Sequence, residues 1–239
     1  MSKSNPFKTT VGRKVIMAVS GILLMLFLIV HLAGNLTLFV PDGGEMFNKY
    51  AYTLESLGPL LYLAEAGLLA IFLFHIITAF QVHYEKKKAR TDRYAVEASK
   101  GGPSKKTIAS RSMIITGIIL LVFIPLHIWM FKYNAGEPYP KVMVDETEMK
   151  DIYGAVYGAF KRPGVVAFYT TVMFLLGFHL RHGFWSALQS LGAMNPRWTP
   201  LVYAGGFVFA LLLAGGFLIL PLYFYFFVEV PVAVSGGAM

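Results

Sequence analysis

Five apolar runs, each about as long as the roughly 30 Å hydrocarbon core of a bilayer requires, limit what this 239-residue chain can fold into. They fall near residues 15–40, 58–83, 112–133, 164–188 and 200–228. Hydrocarbon offers no water to backbone N–H and C=O groups, so each run must satisfy its own hydrogen bonds as a helix. Charged residues make up only 14% of the chain, too few to cover a water-soluble surface of this size. The expectation is an all-α, polytopic membrane protein with five transmembrane helices in one domain. The first run has basic residues before it, as a signal peptide would, but it is too long and lacks a small-residue cleavage pattern. It reads as a retained span. The absence of cysteine excludes disulfides, iron–sulfur ligation by this chain and thioether attachment of haem.

Net charge is +8, and its distribution argues against nucleic-acid binding. With an odd number of spans the termini lie on opposite sides. If the N-terminus is inside, fifteen of the 21 Lys and Arg fall inside with three acids, while nine acids fall outside with the other six bases. Excess Lys and Arg mark the cytoplasmic side, so the expected topology is N-in and C-out. The basic loop "EKKKARTDRYAVEASKGGPSKK" reads as an anchor facing anionic lipid or a docked soluble partner. The outer loop from Tyr133 to Pro163, with spaced Tyr and Val, reads as a partly ordered cap.

Six histidines punctuate the apolar sequence. His31 lies 17 residues past Lys14 and His127 lies 16 past Arg111, both on outward-running spans. At 1.5 Å per residue each is about 25 Å from the inner charge boundary. His75 comes 11 residues before Lys86, and His179 comes two before Arg181, both on inward-running spans. Four helices therefore supply one histidine each, in two pairs at two depths. A single intramembrane histidine is ordinarily a packed, hydrogen-bonded side chain, but ionisable groups are costly there and four at two matched levels suggest function. A tetrahedral zinc site needs its ligands at one level. Two levels of two suit two haems, each iron held axially by imidazoles from facing helices of a bundle formed by the first four spans.

An internal repeat accompanies the outer pair. "SGILLMLFLIVH" ends at His31 and "TGIILLVFIPLH" ends at His127. Ser20 and Thr116 each stand 11 residues before the histidine, on the same helix face and about 16 Å away, near the inner level. With Gly21 and Gly117 they either make room for a flat ring and meet its propionates or serve small-residue helix packing. His182, one turn past His179, reads as a propionate partner, an interfacial cap with Trp185, or an alternative ligand. His83 reads as an interfacial residue. Glu65, ten residues outward of His75, reads either as a polar residue at a wet helix end or as a proton donor or acceptor for a quinone. Glu55 competes with it for the second role.

The segments "FLIVHLAGN", "FLFHIITAF", "FIPLHIWMF" and "FHLRHGFWS", in that order, resemble the four histidine segments of the dihaem cytochrome b membrane subunit of bacterial succinate dehydrogenase and fumarate reductase. The resemblance is to the single-chain, five-helix type and runs from about Gly12 through Trp198. It implies that His31 and His127 ligate the outer haem b, and His75 and His179 the inner one. It also implies anchorage of a flavoprotein and an iron–sulfur subunit on the cytoplasmic face of a bacterial inner membrane. Electron transport would run between the iron–sulfur subunit and a quinone, most often menaquinone, with the dicarboxylate chemistry in the partner. Higher oligomers of such a complex are compatible with the sequence. Related sequences often lack a histidine at the position of His182. Two other readings stay open at this point. One is a dihaem, quinone-linked cytochrome b of another oxidoreductase; the other is a transporter using histidines without haem.

Overall fold

A computed structural model describes residues 9–88 and 108–229. The expectations for Lys3, Lys8 and the basic loop between 89 and 107 lie outside the described residues. Among the described residues, seven α-helices run in chain order as α1 (Thr10–Asn35), α2 (Glu45–Ser56), α3 (Pro59–Lys88), α4 (Ile108–Phe131), α5 (Ile152–Phe160), α6 (Pro163–Ser190) and α7 (Thr199–Phe226). Between α4 and α5 lies a two-stranded antiparallel hairpin, β1 (Lys141–Val144) and β2 (Thr147–Lys150). Five of the helices are long and apolar enough to cross a membrane, and they coincide with the five apolar runs to within about five residues at each end. This is an all-α, multi-pass membrane protein.

Local chemistry sets the helix starts. Thr9 caps α1, its hydroxyl accepting from the Gly12 N–H at 3.0 Å. Proline stands first in α3 and α6 and second in α7, where its missing N–H has no helical partner to lose. Asp151 caps α5 by accepting from the Gly154 N–H at 2.8 Å.

The long helices pack in the order α3, α1, α6, α4, with no extended contact between α3 and α4 to close the ring. α7 lies outside this group, mainly against α6. Burial follows the same order. α6 and α7 supply much of the core, including Val172, Met173, Leu176, Ala210, Leu213 and Phe217, whereas Thr78 alone is buried among the described side chains of α3. In lipid, helices associate through close packing and not through escape from water. The α7 contacts accordingly use small residues. A Cβ at Gly216 would meet Leu32 at 2.8 Å, one at Gly206 would meet Phe184 at 3.0 Å, and one at Gly177 would touch Ala214 at 3.4 Å.

α2, the hairpin and α5 form a cap over one end of the bundle, called the upper end below. The expected ordered cap is present, and α2 is an additional element of it. The hairpin turns through Asp145 and Glu146, both left-handed (φ 46° and 62°), as a two-residue turn matching strand twist requires. Lys49 on α2 meets Asp145 at 2.6 Å, and that hydrogen bond holds the Lys49 ammonium above its usual range. Asn48, 3% exposed, latches the cap: its Nδ2 donates to Asp151 Oδ1 at 3.1 Å, and its Oδ1 accepts from the Tyr153 N–H at 2.9 Å. Gly44, with φ 95°, lets the Tyr153 ring lie directly on its backbone.

Replacing Asn48 by Ala removes both latch bonds and leaves the buried Tyr153 N–H without this acceptor, at a cost of about 1–3 kcal/mol. Limited proteolysis of the full chain in detergent should show faster cutting in the cap, at residues 42–57 or 133–151, with the long helices still protected.

Candidate functional site: two histidine pairs on the bundle axis

The four spans that carry the paired histidines run alternately up and down, so sequence position translates into height. His31 is four residues from the upper end of α1, and His127 is four from the upper end of α4. His75 and His179 are each sixteen residues into α3 and α6. The rings meet accordingly. His31 and His127 stand 5.9 Å apart, centroid to centroid, with planes at 86°. His75 and His179 stand 6.5 Å apart with planes at 68°. We call these the upper and lower pairs.

Each pair joins helices that otherwise share no extended contact: α1 with α4, and α3 with α6. These are the two diagonals of the four-helix group, so both pairs lie on its axis, one diagonal above the other. The eleven residues of α1 between Ser20, which touches the lower pair, and His31 set the levels about 16 Å apart. Among the described residues no group of three or more His, Cys, Asp or Glu side chains converges, so the histidines stand as pairs and not as a cluster.

Hydroxyls sit behind the lower rings. Ser20 Oγ is 3.3 Å from His75 Nδ1, and Thr116 Oγ1 is 3.1 Å from His179 Nδ1. The neighbouring glycines let each ring lie close to a helix backbone. A Cβ at Gly21 would lie 3.3 Å from His75 Cε1, and one at Gly117 would lie 3.6 Å from His179 Cε1. The expected small-residue helix packing is seen at these two glycines, each against an imidazole of the neighbouring helix. The hydroxyls themselves face imidazole nitrogens.

Aromatic rings wall the upper pair. Phe27 stacks on His31 (5.3 Å, 15°) and Phe123 on His127 (5.5 Å, 25°). Each is four residues before its histidine, the spacing that puts side chains one above another on a helix. Phe217 of α7 packs on His31 at 5.7 Å, and the Tyr169 hydroxyl lies 3.3 Å from His127 Nδ1. These four residues were not singled out from sequence. The phenylalanines were legible, since both repeat segments carry Phe at the same place, but the Tyr169 and Phe217 contacts depend on how separate helices pack.

The remaining candidates lie off the axis. His182 packs edge-on against Trp185 at 4.6 Å, while His179 faces His75. The Arg181 guanidinium lies over the Phe207 ring at 5.5 Å, beneath the lower pair. His83 is exposed on α3. Glu65 makes an ion pair with Lys132, just past the end of α4, and the Lys132 ammonium also lies 6.0 Å from the Tyr62 ring and 5.9 Å from that of Tyr133. Glu55 instead pairs with Lys150 of the hairpin at 2.7 Å. Arg13 and Glu85 pair at the lower end, tying α1 to α3.

Both partners of the Glu65–Lys132 pair are more than a third exposed, which limits its worth to about 1 kcal/mol. A double-mutant cycle on thermal unfolding in detergent, using Glu65→Gln and Lys132→Met, should return a coupling no larger than that, and salt should reduce it. No known protein-family model matches the chain, and neither a curated protein nor a solved structure is significantly similar to it.

Proposed function

We propose that this chain is the cytochrome b membrane anchor of a succinate dehydrogenase or fumarate reductase, holding two bis-histidine haems b. In this reading it carries electrons between a cytoplasmic iron–sulfur subunit and a membrane quinone, menaquinone being the usual one for the type. The observation that carries the reading is the arrangement of four imidazoles as two pairs on crossed diagonals at two heights. Two imidazole nitrogens bound to one metal at about 2 Å each place their ring centres about 6 Å apart. The observed separations of 5.9 and 6.5 Å fit that requirement.

The donor set fits the group as well. Each level offers two neutral-capable nitrogen ligands and, among the described residues, no third. Stacked phenylalanines hold the upper rings in plane, and glycine backbones give the lower rings room. Bound there, the two haems supply one-electron carriers at two depths of the membrane. The chain's own residues do the rest: His31 and His127 grip the upper group, His75 and His179 grip the lower, and the aromatic wall keeps water from them. Glu65 and Lys132 lie at the upper boundary, where a quinone head group would exchange protons.

The charge distribution supports an N-terminus on the cytoplasmic side of a bacterial inner membrane and a cap outside. The flavoprotein and iron–sulfur subunit would then dock at the lower end, beside Arg13 and Arg181. The oxidation of succinate or reduction of fumarate belongs to the flavoprotein partner.

A reduced-minus-oxidised visible spectrum of the purified full chain should reveal b-type haem at about two per polypeptide; a chain without reducible haem overturns the reading. His31→Ala or His127→Ala should remove one component, and His75→Ala or His179→Ala the other. His83→Ala and His182→Ala should keep both. Copurification with a protein carrying covalent flavin distinguishes this complex from other dihaem oxidoreductases. Gly21→Ala, which forces the His75 ring aside by a few tenths of an ångström, should reduce occupancy of the lower site more than Gly117→Ala.

A further inference from the structure

The lower pair carries a feature that ligation alone does not demand. Ser20 and Thr116 are 5% and 2% exposed, inside a membrane-spanning bundle. A hydroxyl has one hydrogen to give and two lone pairs with which to accept. On a helix, Ser and Thr commonly give that hydrogen to a carbonyl one turn back. Both residues do so. Ser20 Oγ donates to the Ile16 carbonyl at 2.8 Å, with the Met17 carbonyl at 3.1 Å. Thr116 Oγ1 donates to the Ser112 and Met113 carbonyls, each at 3.1 Å.

With its hydrogen so placed, each oxygen can meet the facing imidazole only as an acceptor. A hydroxyl that keeps its carbonyl bond accepts at the imidazole, and the ring nitrogen it meets then carries the proton. That nitrogen is Nδ1 in both cases, at 3.3 Å for His75 and 3.1 Å for His179. A neutral imidazole has one N–H, so Nε2 keeps the lone pair. The same arrangement occurs twice, on α1 facing α3 and on α4 facing α6.

We propose that Ser20 and Thr116 are positioning residues that lock His75 and His179 in the Nδ1–H tautomer, presenting Nε2 as the metal-binding nitrogen of the lower site. Imidazole in water prefers the opposite tautomer, so the hydroxyls hold the rings in the less populated form before any metal arrives. An acceptor on Nδ1–H also makes Nε2 a more basic ligand, which stabilises the higher oxidation state of a bound iron. Tyr169 approaches His127 Nδ1 in the same way at the upper level, its own hydroxyl directed at the Met130 sulfur at 3.7 Å. The metal-binding half of the inference rests on the haem reading above; the tautomer half stands without it.

The test uses the full-length chain, labelled with ¹⁵N-histidine and reconstituted haem-free in phospholipid bilayers at mildly alkaline pH. Solid-state ¹⁵N spectra distinguish protonated from unprotonated ring nitrogens, and His75→Gln and His179→Gln assign the two rings. Both should be protonated at Nδ1. Ser20→Ala and Thr116→Val should each shift only the ring it faces toward the Nε2–H form, while Ser20→Thr and Thr116→Ser should preserve the parent spectrum. Nε2–H rings in the parent chain, or spectra unmoved by Ala and Val, overturn the lock. In the haem-loaded chain, Thr116→Val and Ser20→Ala should raise the midpoint potential of one haem component and leave the other unchanged. Full haem content with both potentials unaltered overturns the tuning role. A chain that takes up no haem refutes the function proposed above, while the haem-free spectra still decide the tautomer.

Discussion

An imidazole in hydrocarbon has no water to turn to, so its two nitrogens must be satisfied by whatever the protein places beside them. The rest of the bundle depends on this constraint. Four such rings would be a heavy load if scattered over the lipid-facing surface. Brought together on crossed diagonals, they share one polar axis and leave the outer faces of the helices to Leu, Ile, Val and Phe. The second requirement, a partner behind the ring, is met for His75, His179 and His127 by the hydroxyls of Ser20, Thr116 and Tyr169. Close approach is the third requirement, and it explains Gly21 and Gly117. Histidine, hydroxyl and glycine form one unit that is built twice.

The duplication extends beyond those residues. α1, α2 and α3 form a span, a short cap helix and a returning span; α4, α5 and α6 do the same, with the hairpin inserted before α5. In each half a Ser-Gly or Thr-Gly step on the first span supports the histidine of the second. The histidine of each first span, eleven residues further on, then meets its counterpart from the other half. α7 has no equivalent. It packs mainly against α6, with further contacts to α1 and α5, and brings Phe217 to His31, so the upper level is walled more heavily on one side.

Much of this was legible in the chain. The spans follow from apolar length, and the two heights follow from counting residues at a fixed rise. The pairing of His31 with His127 and of His75 with His179 follows once antiparallel neighbours are assumed. Ser20 and Thr116 were found by their spacing, but spacing alone does not say what a hydroxyl touches: their contact with imidazole edges depends on the lateral approach of α1 to α3 and of α4 to α6. Tyr169 gave no sign among the other aromatic residues of α6. The Asn48 latch joins segments more than a hundred residues apart, and no local pattern announces it. Glu65 stood out as an acid within an apolar run, but its ion pair with Lys132 is set by packing at the bundle end.

The unequal closure of the four-helix group gives the molecule a front and a back. On the back, α6 is sealed by α7, with small residues bringing the backbones close. On the front, α3 and α4 share no extended contact and are bridged at their upper ends by the Glu65–Lys132 clasp. Three sides of the four-helix group are thus closed by helix against helix, while the fourth rests on a single side-chain clasp at its upper end.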